Sequence, residues 1–203
     1  MLWDRIAPLY DFFENAFNRK VYDMTGPAVA SLLGPCDEVL ECACGTGGIS
    51  VAVARVCKRL VATDYSEGML RRARTKLAMC GNVLVEKADI TALPYEDDSF
   101  DAAVAGNVLH LLPEPADALA ELRRVVRPGG MIIVPTYLSA TRRGRGPIVA
   151  VLARLGLTFH EEFDADSYRA FFEAMGYTDV SYRVLRGAMP CAIASFVNRD
   201  PEC

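Results

Sequence analysis

Short apolar runs alternate with longer amphipathic stretches along most of the chain. The apolar runs have the length of β-strands and lie at residues 37–42, 60–63, 82–86, 99–105 and 131–134. The stretches between them that have helical length and spacing are residues 49–57, 66–79 and 113–126. Strands separated by helices of this length form βαβ units, which predicts a parallel sheet with helices on both faces.

The pattern changes towards the C-terminus. Residues 164–175 are predicted to form a helix that Gly176 caps, residues 177–185 alternate apolar and polar side chains, and a short connection leads to a strand at residues 191–197. Two strands joined with no helix between them must run antiparallel. We therefore predict an α/β fold with a doubly wound, mostly parallel seven-stranded sheet and an antiparallel C-terminal edge hairpin. Residues 127–130, Arg-Pro-Gly-Gly, predict a sharp stop and turn before the fifth strand.

Composition narrows the class of protein. The 203 residues carry a net charge of −4 and suit a single domain. The acidic balance disfavours nucleic acid as a partner. Seven cysteines without a Cys-x-x-Cys pair, and only two histidines, argue against a metal site. We see no secretory signal and no apolar run of about 18 residues, so we expect a cytoplasmic protein.

The residues that carry chemistry follow the first two strands. The first strand ends at Glu41 and continues into the glycine-rich turn CACGTGG, where a ligand can approach the backbone closely. The second strand ends at Asp64, seventeen positions after Gly47, where an acid can accept hydrogen bonds from both ribose hydroxyls of a nucleoside. A dinucleotide fingerprint would need a third glycine where Ser50 stands. The Glu41 carboxylate would repel a pyrophosphate but suits a ligand with an amino group and a sulfonium charge, which favours S-adenosylmethionine over NAD.

Four segments resemble the motifs of class I S-adenosylmethionine-dependent methyltransferases, which have a Rossmann-like fold. They are VLECACGTG, ATDYSEGML, KADITALPYEDDSFDAAVAGNVLHLLPEP and RVVRPGGMIIV. One departure is Ala43, where the family usually has glycine; we expect binding to be retained if the backbone there has a negative φ.

The resemblance implies a set of cofactor contacts. Asp64 would bind the ribose, Tyr65 and Met69 would lie near the adenine, Asp89 would accept from the adenine amino group, and Ile90 would lie against its ring. Asn107 to His110 would line the methionine end and the acceptor mouth. The full set of expected cofactor-binding residues is Tyr10, Glu41, Ala43, Cys44, Gly45, Thr46, Gly47, Asp64, Tyr65, Met69, Asp89, Ile90, Asn107 and Val108.

The segment WDRIAPLYDFFENAFNRKVYD resembles the start of the ubiquinone/menaquinone-biosynthesis methyltransferases, and is also similar to small phospholipid N-methyltransferases. In these enzymes the N-terminal helix closes over the cofactor, which makes Tyr10 and Tyr22 candidate contacts. The expected organisation within one domain is an N-terminal helical lid at 1–36, a cofactor-binding core at 37–135, an acceptor-side loop and helix at 136–163, and a C-terminal helix and hairpin at 164–203.

The resemblance implies direct SN2 transfer of a methyl group to a small-molecule or lipidic acceptor, with S-adenosylhomocysteine as product. The alternative function is a protein that binds S-adenosylmethionine without methyl transfer. The sequence does not distinguish an O, N, S or C acceptor atom, and the oligomeric state is unknown.

Several residues have two interpretations. His110 is a candidate general base, or else a packing residue at a helix start. Asp89 could instead cap the turn at Thr91. Cys42 and Cys44 are best explained as small side chains that fill the turn. Two further groups could touch a membrane surface, or be a solvated loop and a packed helix; they are Arg142, Arg143 and Arg145, and Trp3, Phe12, Phe13 and Phe17.

Overall fold

The computed structural model describes Trp3, Asp4, Ala7 and residues 18–138 and 163–199. The helices of its two long ranges are α1 (Arg19–Ala30), α2 (Ser50–Val53), α3 (Glu67–Leu77), α4 (Pro115–Val125) and α5 (Ala165–Ala174), with a 3₁₀ turn at Leu109–Leu111. The strands are β1 (Glu38–Cys42), β2 (Arg59–Asp64), β3 (Val83–Lys87), β4 (Phe100–Ala105), β5 (Val126–Tyr137), β6 (Ser181–Leu185) and β7 (Cys191–Val197).

The strands form one seven-stranded sheet in the order β3-β2-β1-β4-β5-β7-β6. The first five strands pair in parallel, and β7 pairs antiparallel with both β5 and β6. The predicted fold class is confirmed. The structure adds that the antiparallel strand β7 lies inside the sheet, and that β6 forms the edge.

Both faces of the sheet are covered. Val39 and Leu40 of β1 are fully buried and point into different apolar clusters. The cluster around Leu40 is closed by α4 and α5, and the cluster around Val39 by α1, α2 and α3. This arrangement explains why β1 is apolar without alternation, as expected for a central parallel strand.

Two local predictions were wrong. The Arg-Pro-Gly-Gly segment is part of β5 instead of a turn before it, and the register to β4 shifts between Phe100 and Ala102. Gly130 makes this bulge feasible, because a Cβ there would lie 2.5 Å from the Asp101 carbonyl oxygen. The helix predicted at residues 49–57 is regular only over Ser50–Val53 and continues as turns. Within the described ranges, no helix is both long and apolar enough to cross a membrane.

Candidate functional site

A cavity of about 320 Å³ opens at the carboxyl ends of β1, β2 and β4. The strand order reverses here, because the chain builds β2 and β3 on one side of β1 and then returns to β4 on the other. Such switch points are where ligands bind in open α/β sheets. The sequence placed Glu41, Asp64 and Asn107 at these strand ends, and all three line the cavity.

Asp64 is held rigidly at the end of β2. Its Oδ2 accepts from the Gly45 backbone N–H at 2.9 Å, and its Oδ1 accepts from the Ser66 backbone N–H at 2.8 Å. Burial nevertheless raises the pKa of this carboxyl above its usual value. The side chain is therefore oriented before any ligand arrives, and the hydroxyls of a ribose would complete the solvation of its oxygens.

The glycine-rich turn follows β1 and is tied to β2. The Cys44 N–H donates to the Thr63 carbonyl at 2.8 Å, and Gly45 has a φ of +56° with open space where a Cβ would stand. Cys44, Gly45 and Thr46 line the cavity, whereas Gly47 is not among the lining residues. The turn thus exposes backbone to the cavity, as close approach of a ligand requires.

Ala43 departs from the expected geometry. The condition for retained binding was a negative φ, but the φ of Ala43 is +53°. A side chain in this left-handed region costs about 1–2 kcal/mol because its Cβ crowds the following carbonyl. The turn keeps the shape that glycine would give it, and alanine bears strain to do so.

Glu41 is the most unusual group in the cavity. Its side chain is 1% exposed, and its Oε2 has no hydrogen-bond partner among the described residues. Burial, reinforced by the charge of Asp64, raises the pKa of Glu41 from 4.5 to about 8. Glu41 lines the cavity with a buried carboxyl of which one oxygen is unpartnered, which fits a ligand that brings a positive charge and N–H donors. S-Adenosylmethionine has both, so the residues present fit this cofactor.

Another part of the cavity wall is suited to bind an aromatic ring. Ile90 and Met69 are buried and line it together with Tyr65, which is half exposed and has the Lys87 ammonium 5.1 Å from its ring centre. Asp89 lines the cavity, and its Oδ1 accepts from the Thr91 N–H and hydroxyl. Asp89 therefore caps the Thr91 turn with one oxygen, which leaves its role towards adenine to be tested.

Asn107 and Val108 form the wall after β4. Asn107 has a φ of +53°, a conformation that asparagine tolerates better than most residues. Its N–H donates to the Pro135 carbonyl at 2.8 Å, and its Oδ1 accepts from the Tyr137 N–H at 2.9 Å. These bonds pin the loop to β5 and leave Val108 against the cavity.

His110 lies in the 3₁₀ turn but is not among the residues that line the cavity, unlike Val108 and Leu111 on either side of it. Burial lowers its pKa to about 4, so the imidazole is neutral and weakly basic at neutral pH. Cys42 and Cys44 are buried, and burial raises the pKa of both thiols, that of Cys42 to about 12. Thiols of this kind are unreactive, which agrees with a packing role.

The cavity has further walls that motif reasoning did not assign to the cofactor. They include aromatic and apolar side chains from distant segments, namely Trp3, Tyr22, Ile49, Leu111, Leu112 and Tyr137. Tyr22 was a candidate only through the N-terminal resemblance, and Tyr137 lacks a local motif. Tyr10, the arginines at 142, 143 and 145, and the phenylalanines at 12, 13 and 17 lie outside the described residues. Within the described part, no group of three potential metal ligands is found.

One cation approaches the glycine-rich turn from α3. The Lys76 ammonium donates to the Thr46 hydroxyl at 3.2 Å and to the Tyr22 hydroxyl at 3.3 Å. Both hydroxyls belong to residues that line the cavity. Positive charge therefore lies beside the turn, while the two carboxyl groups of Asp64 and Glu41 line the cavity.

Comparison with known proteins shows which family the chain belongs to. Residues 40–134 match the family model described as a methyltransferase domain. A demethylmenaquinone methyltransferase from Clavibacter sepedonicus is 44% identical, over 79% of this chain and 73% of that protein. One from Renibacterium salmoninarum is 30% identical, over 93% and 87%. A solved S-adenosylmethionine-dependent methyltransferase from Aquifex aeolicus shares the fold with a TM-score of 0.66 and 19% identity, over 89% of this chain and 93% of that one.

The matches to these two relatives cover more of the chain than residues 40–134. In addition, the glycine-rich turn, Glu41 and Asp64 lie where ligands bind in this kind of fold. The cofactor is accordingly S-adenosylmethionine, and the chain is a methyltransferase enzyme that depends on it. The chain belongs to the class I S-adenosylmethionine-dependent methyltransferases and is related to the menaquinone methyltransferases.

Proposed function

We propose that the acceptor is a quinol, the reduced form of a prenylated quinone of the demethylmenaquinone type. The observation that carries this proposal is the 44% identity, over most of both chains, to a protein named demethylmenaquinone methyltransferase. The cavity is compatible with such an acceptor. Beyond the polar cofactor contacts, its wall includes Trp3, Val108, Leu111, Leu112 and Tyr137, which suit a flat apolar ring.

The proposed seat of the cofactor follows the walls of the cavity. Asp64 binds the ribose hydroxyls, and Tyr65, Met69, Asp89 and Ile90 enclose the adenine. The turn from Ala43 to Thr46 carries the methionine part along its backbone, next to Glu41 and Asn107. We propose that Tyr10 of the N-terminal segment covers the cofactor, and that Gly47 acts by shaping the turn.

The bound cofactor supplies a methyl group on a positively charged sulfur. The protein must orient the acceptor in line with that bond and exclude water, which accounts for most of the catalysis in such a transfer. A quinol ring is electron-rich at carbon, whereas the oxidised quinone is not, so only the reduced form can attack. In this reaction a carbon–carbon bond forms, the sulfur–carbon bond breaks, and the ring carbon loses a proton. His110 remains a candidate for taking up a proton, although its burial makes it a weak base.

Two of the segments outside the cofactor core, at 1–36 and 136–163, are proposed to form most of the acceptor site. A prenylated quinol lies in a membrane, so we propose that these segments contact the membrane surface. The core contributes Val108, Leu111 and Leu112 to the proposed acceptor wall, and these two segments are what remains of the chain beside the core and the C-terminal helix and hairpin.

The test is methyl transfer to a short-chain demethylnaphthoquinol with labelled S-adenosylmethionine, followed by mass spectrometry. Matched arms contain the oxidised quinone and phosphatidylethanolamine vesicles. Methylation of the quinol alone supports the proposal. Methyl transfer to the amine of phosphatidylethanolamine would refute it and identify a lipid acceptor instead. Tight cofactor binding with no transfer to any arm or to a metabolite extract would favour a binding protein.

A further inference from the structure

The Asp4 carboxylate caps the N-terminal end of helix α3, which is distant from it in the chain. Its Oδ1 accepts from the Ser66 hydroxyl at 2.7 Å and from the Gly68 backbone N–H at 2.8 Å. These two bonds lower the pKa of Asp4 below its usual value, so the group is ionised at neutral pH. An anion at the start of a helix is also favoured by the helix dipole.

Gly68 allows the N-terminal segment to come this close. A Cβ on Gly68 would lie 2.7 Å from the Asp4 Cα and 3.1 Å from its carbonyl oxygen. The first of these distances is too short for any side chain, and both contacts are to backbone that cannot rotate away. The helix itself would accept alanine at this position, because Gly68 is not among the positive-φ glycines. The absence of a side chain here therefore serves the contact with Asp4.

The same network reaches the cofactor cavity. The Ser66 N–H donates to Asp64, the proposed ribose ligand, and the Ser66 hydroxyl accepts from the Met69 N–H at 3.2 Å. Trp3, the residue before Asp4, lines the cavity, as do Asp64, Ser66 and Met69. Docking of Asp4 thus places Trp3 as a wall beside the residues that enclose the nucleoside.

We propose that Trp3 and Asp4 form a strap that closes the cofactor cavity, and that Asp4 is the positioning residue that clamps it to α3 through Gly68 and Ser66. The inference rests on the proposed cofactor seat at Asp64. Since Trp3 lines the cavity, the cofactor leaves when the clamp opens, and the clamp sets how long the cofactor stays bound.

The experiment uses the full chain with any tag at the C-terminus, and S-adenosylhomocysteine as the probe. Trp3 is the single tryptophan of the chain, so its fluorescence reports the strap directly. We expect S-adenosylhomocysteine to change this fluorescence in the wild type. Stopped-flow displacement then gives the dissociation rate, which we expect to rise about tenfold in Asp4→Ala, because two hydrogen bonds to a charged acceptor are lost. Asp4→Asn keeps an acceptor oxygen and should give an intermediate rate.

Gly68→Ala separates the clamp from a general effect on folding. Alanine improves the propensity of the helix, so the thermal midpoint should not fall, while the clash with Asp4 should accelerate dissociation as in Asp4→Ala. The matched control is Asp164→Ala, which removes a similar cap from α5, where Asp164 accepts from the Asp166 and Ser167 N–H groups. It should lower the thermal midpoint and leave the dissociation rate unchanged.

Two results would overturn the inference. One is a wild-type dissociation rate in both Asp4→Ala and Gly68→Ala, and the other is a Trp3 signal that does not respond to S-adenosylhomocysteine although calorimetry shows binding. Absence of binding to the wild type itself would instead refute the cofactor seat on which the inference rests.

Discussion

Replacing Glu41 by glutamine is expected to stabilise the ligand-free protein and to weaken cofactor binding. Glu41 is fully buried in the cavity, and burial raises its pKa from 4.5 to about 8. Below the ordinary value the carboxyl is protonated in both the folded and the unfolded chain. Between the two values the unfolded chain has released the proton and the folded protein still holds it. Stability is therefore lost as the pH rises through this window.

The magnitude follows from the pKa difference. Each pH unit inside the window reduces the free energy of unfolding by about 1.4 kcal/mol. At about pH 7.5 the loss relative to about pH 4.5 reaches roughly 4 kcal/mol, which is a large fraction of the stability of a small domain. Glutamine has nearly the same shape and does not titrate. Glu41→Gln should therefore lack this component of the pH dependence.

Urea unfolding of both proteins, from about pH 5 to about pH 8, measures the difference. Titrating groups that do not interact with Glu41 are common to both chains and cancel. We expect the curve of Glu41→Gln to diverge upwards from that of the wild type as the pH rises. Two parallel curves would show that Glu41 ionises normally, and the argument from burial would then be wrong.

The same carboxyl should respond to the charge of the ligand. Calorimetry in buffers of different ionisation enthalpy should show proton release when the wild type binds S-adenosylmethionine near neutral pH. Glu41→Gln should abolish this release. It should also weaken S-adenosylmethionine more than S-adenosylhomocysteine, because only the former carries a sulfonium charge. Equal losses for both ligands would mean that Glu41 recognises the shared amino group alone.

Three further changes test the rest of the site. Asp64→Asn should weaken S-adenosylhomocysteine binding about tenfold or more in calorimetry, since a charged acceptor for two hydroxyls is lost, and unchanged affinity would refute the ribose assignment. Lys76→Met should weaken the binding of S-adenosylhomocysteine but not of 5′-methylthioadenosine, which lacks the amino-acid part, because the Lys76 ammonium lies beside the turn that is proposed to hold that part. Equal losses of affinity for both ligands would mean that Lys76 does not face the amino-acid part. Ala43→Gly should raise the free energy of unfolding by roughly 0.5 kcal/mol, as relief of the left-handed strain exceeds the added chain entropy. Its control, Ala120→Gly at an exposed position in the middle of α4, should lower it by about 1 kcal/mol, and a loss in both would remove the strain argument.

The fold was predictable because its dominant signals are local. Each parallel strand is a short apolar run, and helices such as α4 have the apolar spacing that a buried face requires. Two features depended on tertiary structure. The segment from Arg127 to Gly130 has turn composition, yet it is drawn into β5 because its neighbours Val126 and Met131 pair with β4, and because Gly129 and Gly130 exchange hydrogen bonds with Asn198. Likewise, local pattern places β6 and β7 next to each other but not β7 beside β5.

The site was predictable where chemistry follows a strand end. Glu41, Asp64 and Asn107 each stand at or just after the carboxyl end of a strand, so the topology alone brings them together. Trp3 and Tyr137 were not predictable as partners in this wall, because they are far apart in the chain and neither belongs to a local motif. The sign of φ at Ala43 was likewise hidden, since alanine normally indicates a negative φ.

Ala43 and Glu41 together suggest why the ligand-free site is less stable than it could be. Glycine at 43 would remove backbone strain, and a side chain that does not titrate at 41 would remove the free energy lost by keeping a buried carboxyl protonated. The two positions are separated by one residue and belong to the same strand-to-turn junction. In the proposed seat, a cationic cofactor would interact favourably with Glu41, and the strained turn exposes backbone to the cavity. The stability lost in folding is thus concentrated at the proposed cofactor site, which is the pattern expected of a site selected for binding over stability.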